Sequence, residues 1–192
     1  MRIARGAQKG LGMKREIKSC LLVGLIVAAV ILGCGMFDPV RRDIATYINQ
    51  GILNVAELEQ KSLQRYAAVT GPNYTTPERV YDALKNDVVP LYRRFLKGLR
   101  EIRPETEEVK RVHRTYILGA EYLYQGFKEK MYGIELKNET IIISANRKIE
   151  KGALENQKWR EELFALEQKH GVATEKEGKM SALIKWWEKV WE

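Results

Sequence analysis

Between Asp38 and Gly171 apolar residues return every three or four positions, and that period commits this stretch of the chain to helices rather than strands. Asp38-Pro39 supplies an N-cap followed by proline at the first helical position. Val40, Ile44, Ile48, Ile52 and Val55 then share one face of a first helix running to about Val69. The segment 70–77, TGPNYTTP, interrupts it, and Thr75 with Glu78 has the spacing of a capping box for a second helix. Val80, Leu84, Val88, Leu91, Phe95, Leu99 and Ile102 form the cleanest stripe, with Leu84, Leu91 and Phe95 expected in the core. Pro90 falls inside that stripe, where it removes a backbone donor and predicts a kink.

Arg103-Pro104 marks the next boundary. Val109, Val112, Tyr116, Ala120, Leu123, Phe127 and Met131 carry a third helix to about Leu136, and Asn138-Glu139 starts a fourth. Ile142, Ala145, Ile149, Trp159, Leu163 and Leu166 line the fourth, which stops at Gly171, a residue suited to the left-handed position after a helix. Ile141-Ile142-Ile143 alone would suit a strand, but the helical period on both sides outweighs three β-branched residues. The expected fold class is all-α: an antiparallel up-down four-helix bundle over 38–171, with a short amphipathic helix at the C-terminus.

Residues 13–34, MKREIKSCLLVGLIVAAVILGC, place a basic head before an uncharged apolar run, the order of a secretory signal peptide. Ile31, Leu32 and Gly33 before Cys34 match a bacterial lipobox. On that reading 1–33 is a signal peptide, Cys34 is acylated and becomes the first residue, and 34–37 is the tether. The partner it implies is membrane lipid, gripped by acyl chains that each bury many methylenes at about 0.8 kcal/mol apiece. The alternative is an uncleaved anchor, because Cys20 to Phe37 is 18 residues without a charge, near the short limit for spanning. Either way the basic end stays in the cytoplasm and the helical domain lies outside it, on the cell membrane or the outer membrane. Met13 would begin a more ordinary signal than Met1.

Charge and cysteine usage narrow the function classes. Six Lys and Arg against one Glu in residues 1–19 account for +5 of the +8 net charge, so the remainder is only mildly basic and its signs are interspersed. That pattern does not point to nucleic acid as a partner. Cys20 and Cys34 are the two cysteines, which leaves none in 38–192 for a disulfide, a zinc site or a nucleophile. Nucleophile-elbow, phosphate-loop, dinucleotide and zinc-protease motifs are missing, so no catalytic residues, metal or cofactor are assigned. Glu107, Glu108, Glu161 and Glu162 come as adjacent pairs suited to solvated faces.

Two histidines and nine tyrosines remain. Glu167 and His170 have the Glu-x-x-His spacing of di-iron bundles, but that chemistry needs the motif twice, and His170 at a helix end suits contact with terminal carbonyls. His113 reads as a hydrogen-bonded boundary histidine, with ligand contact as the alternative. Tyr66, Tyr92 and Tyr116, together with His113, are candidates for an interhelical groove near Pro90; the competing reading makes the tyrosines the half-buried margin of an ordinary core. Residues 172–178 read as a linker. In 179–192, Met180, Leu183, Ile184, Trp187, Val190 and Trp191 share one side and Lys179, Lys185 and Lys189 the other. Trp186, Trp187 and Trp191 either enter a membrane headgroup region or fold back on the bundle.

The turn Tyr66–Thr75 (YAAVTGPNYT), Val89-Pro90-Leu91-Tyr92, the stretch Pro104–Ile117 (PETEEVKRVHRTYI), Ala145-Asn146 and His170-Gly171-Val172 together resemble a broad set of small helical bacterial lipoproteins of uncharacterised function. The likeness spans about residues 38–172. It implies a lipoprotein and a helical bundle, and no activity. The function expected is a binding or envelope-scaffold role with an envelope protein as partner; small-molecule or ion binding in the tyrosine-lined groove is the alternative.

Overall fold

A computed structural model describes residues 38–172, all of which lie in helices or the turns between them, with no strand among the described residues. The signal peptide, Cys34 with its lipobox, the linker beyond Val172 and the helix with Trp186, Trp187 and Trp191 lie outside the described residues. The chain makes four helical runs. The first comprises α1 (Pro39–Thr46), a π-helical stretch Tyr47–Ile52, and α2 (Leu53–Ala67). The second comprises α3 (Pro77–Ala83), a π-helical stretch Leu84–Val88, and α4 (Val89–Glu101). The third and fourth are α5 (Glu107–Glu135) and α6 (Glu139–Lys169). No helix among the described residues is long and apolar enough to cross a membrane.

The wider turns change which residues reach the core. Val80, Leu84, Val88 and Tyr92 are all buried, three steps of four residues that would drift about 40° each on a regular 3.6-residue turn. The π-helical stretch absorbs that drift just before Pro90, which then opens α4 at its first turn, where a missing donor costs little. Ser62, buried on α2, donates to the Val88 carbonyl at 2.9 Å. The stripe expected through Leu91 is therefore corrected by one position: Leu91 is half-buried, while Tyr92 is fully enclosed. Leu84, Phe95, Leu123 and Phe127 are buried as expected.

Helix ends follow side-chain chemistry. Thr76, one residue beyond the expected cap at Thr75, accepts from Arg79 N–H at 3.3 Å with Pro77 next to it. Asn138 accepts from Ile141 N–H at 3.2 Å, after Lys137 has turned the chain at φ 51°. Gly171 takes φ 58° after α6. The N-terminus of α5 is capped from a distance. Asp43, buried on α1, accepts from the Glu105 N–H at 3.0 Å and from the Thr106 N–H and hydroxyl at 2.7 Å each, satisfying donors that the short connection 102–106 would otherwise leave bare.

The third and fourth runs approach one another along a seam of glycines. A Cβ added at Gly126 would lie 3.0 Å from the Ala145 carbonyl and Ile149 N, one at Gly133 3.0 Å from Ile142 N, and one at Gly119 3.0 Å from Asn156 N. Seven-residue spacing puts all three on one side of α5. Gly152 returns the fit from α6 against Leu123 and the Gly119 carbonyl.

Candidate functional site

The deepest chemistry in the domain is a cluster of aromatic and polar side chains between the helices. Glu59, fully buried on α2, accepts from the Tyr116 hydroxyl at 2.6 Å and from the Tyr92 hydroxyl at 3.3 Å. Burial first, and then the charge and hydrogen bond of Glu59, push both phenols well above their ordinary range, so they keep their protons and act as donors. Tyr47, also held protonated by burial, accepts from Trp159 Nε1 at 3.2 Å and lies 3.3 Å from His113 Nδ1. The Tyr116 ring stacks on Trp159 at 3.8 Å, which ties the two polar groups into one unit. Asn156 is buried against Gly119, where no side chain would fit.

His113 is buried rather than at the boundary, and its ring is hydrogen-bonded as expected. Burial, with the positive charge of Arg103 second, pushes its pKa down to about 4 from 6.5. The unfolded chain therefore binds a proton that the folded chain refuses as pH falls below 6.5. Stability present above pH 6.5 is lost down to about pH 4, by up to about 3 kcal/mol. Urea unfolding at pH 7.5 and 4.5 should show this loss in the natural protein and a smaller loss in His113→Gln; equal losses would place His113 in solvent.

Tyr92 and Tyr116 are enclosed, Tyr66 and His113 nearly so, and none of the four lines the clefts described next. One cleft of about 330 Å³ lies beside Gly51, Gly98 and the edge of Tyr47. Another, of about 360 Å³, is basic, with Arg93, Lys97 and Arg100 beside Tyr124, although Arg100 is already paired with Glu121 at 2.6 Å. The third, of about 260 Å³, sits where the turn after α2 meets α5 and α6. No group of three or more His, Cys, Asp and Glu among the described residues is arranged to hold a metal ion.

The third cleft is the best candidate site because its walls and its polar group differ in character. Tyr74, Pro77, Val80, Ile134 and Ile142 supply apolar surface, and Thr70 and Asn146 stand among them. The 70–76 segment shapes it: Gly71 adopts φ 56°, and Thr70 donates to the Tyr66 carbonyl at 2.8 Å. Lys130 reaches in from α5. Its ammonium donates to the Tyr66 hydroxyl at 2.8 Å and lies 5.1 Å from that ring's centroid. Burial lowers its pKa from the ordinary lysine value, and it forms no ion pair among the described residues.

Sequence reasoning picked out the turn Tyr66–Thr75 and Ala145-Asn146, but as helix stops and packing positions. The available signal was that both landmarks are polar or irregular and that Lys130 lies next to the apolar stripe residue Met131. Tyr66 belongs to this site through its hydroxyl, whereas Tyr92, His113 and Tyr116 belong to the buried cluster with Glu59, Tyr47 and Trp159. No protein-family model, curated protein or solved structure matches the chain.

Proposed function

We propose that the chain is an exported, lipid-anchored protein whose helical domain is an antiparallel up-down bundle that works by binding at the cell envelope. The observation that carries this reading is where the core begins. Only Gly35, Met36, Phe37 and Asp38 separate Cys34 from Pro39, the first residue of α1, and Val40 is already buried. Four extended residues reach about 14 Å. An acylated Cys34 would thus hold the domain against the membrane surface, in reach of lipids and of envelope proteins, with no spanning helix required.

The buried polar side chains support binding over catalysis, because Glu59, Tyr92 and Tyr116 satisfy one another rather than converge on an open cleft. Replacing Cys34 with Ser should abolish incorporation of radiolabelled fatty acid and shift the protein out of the membrane fraction. Unchanged labelling in the variant would defeat the lipoprotein reading. Membrane retention without label in the natural protein would assign the uncleaved anchor instead. Small-molecule binding is the second reading, and its support lies in the cleft at Lys130.

A further inference from the structure

We infer that the cleft between the 70–76 turn, α5 and α6 is a binding site for a small carboxylate with an apolar body, whose charged end pairs with Lys130. This inference deepens the binding part of the function proposed above and does not depend on where the protein is anchored.

The chemistry follows from a mismatch at Lys130. An ammonium withdrawn from water ordinarily gains an anionic partner or gives up its charge, and here a neutral phenol, Tyr66, is the hydrogen-bond acceptor. Lys130 is also the only Lys, Arg, Asp, Glu or His among the residues that line the cleft. A carboxylate would complete its coordination in a partly desolvated setting, where a charge-assisted hydrogen bond is about twice as strong as a neutral one. Asn146 adds an amide donor from α6. The remaining wall is apolar through Val80, Ile134, Ile142 and Pro77, so a fully hydrophilic anion would leave that surface uncovered. A volume of about 260 Å³ is at the small end for ligand pockets, which favours one ring or a short branched chain over a long acyl chain.

Calorimetry on the full chain in nanodiscs, with empty discs as the blank, tests the assignment using 3-phenylpropanoate and its neutral amide. The acid should bind about tenfold or more tightly than the amide. Lys130→Met keeps the stem and removes the charge, and Asn146→Asp places a repelling carboxylate at an exposed position of the cleft. Each should weaken the acid about tenfold or more while leaving the amide little changed. Reductive methylation of Lys130, followed by mass spectrometry, should be slowed by the acid and not by the amide. Equal affinity for acid and amide, acid binding that survives both substitutions, methylation of Lys130 unaffected by the acid, or no heat at millimolar acid would each overturn the site. These results are independent of fatty acid labelling at Cys34, so failure of the anchor and failure of the site are told apart.

Discussion

Replacing Trp159 with Ala lowers the unfolding free energy of residues 38–192 by about 3–5 kcal/mol, the range for deleting a large buried aromatic from a packed core. Three losses combine. The indole is 2 % exposed and is the largest enclosed side chain in the domain; its face stacks on Tyr116 with planes 9° apart; and its N–H satisfies Tyr47. Trp159→Phe separates these contributions, since it keeps most of the ring and removes the donor, and should cost about 1–2 kcal/mol. Urea titration followed by far-UV circular dichroism measures both. A cost below about 1 kcal/mol for Ala would show that Tyr116 and Trp159 do not share a core.

Much of this architecture was legible because each boundary carries its own local chemistry. Asn138 and Gly171 mark helix ends in sequence for the same reasons that they do so in the structure, α1 starts at Pro39, and Ile141-Ile142-Ile143 is helical as the surrounding period requires. What escaped depends on partners far along the chain or on a change of period. Leu91 was expected inward on a regular 3.6-residue repeat; the wider turn before Pro90 rotates Tyr92 there instead. Asp43 holds the two residues that lead into α5, 62 and 63 positions downstream, and nothing within four residues of it hints at that task. Glu59 reads as a solvated glutamate until Tyr92 and Tyr116 are brought over it. Lys130 is one of many surface-like lysines in the sequence, and only the fold sets it against Tyr66 in a cleft shared by three elements.

The glycine seam was visible as a repeat, Gly119, Gly126 and Gly133 seven apart, yet the apolar stripe beside it drew the reading. Its energetic weight gives the second large expectation. Glycine inside a helix costs about 1 kcal/mol relative to alanine, so any benefit must come from the neighbour it admits. At Gly152 a Cβ would lie 2.8 Å from the Gly119 carbonyl and 2.8 Å from Leu123 N, both backbone atoms of α5 that cannot rotate away. Gly152→Ala gains helix propensity but forces the two helices apart, for a net loss of about 1–2 kcal/mol; Gly152→Val adds two methyls and the β-branched penalty, and should cost about 3 kcal/mol or more. Ser144→Val, on the exposed side of α6, carries the same β-branched change without the contact and should stay within about 0.5 kcal/mol. Should Gly152→Val match Ser144→Val in urea unfolding, α5 and α6 cannot touch backbone to backbone. If the predicted difference appears, the close approach of these two helices is a main source of the domain's stability, and it also brings Lys130 of α5 and Asn146 of α6 to the same cleft.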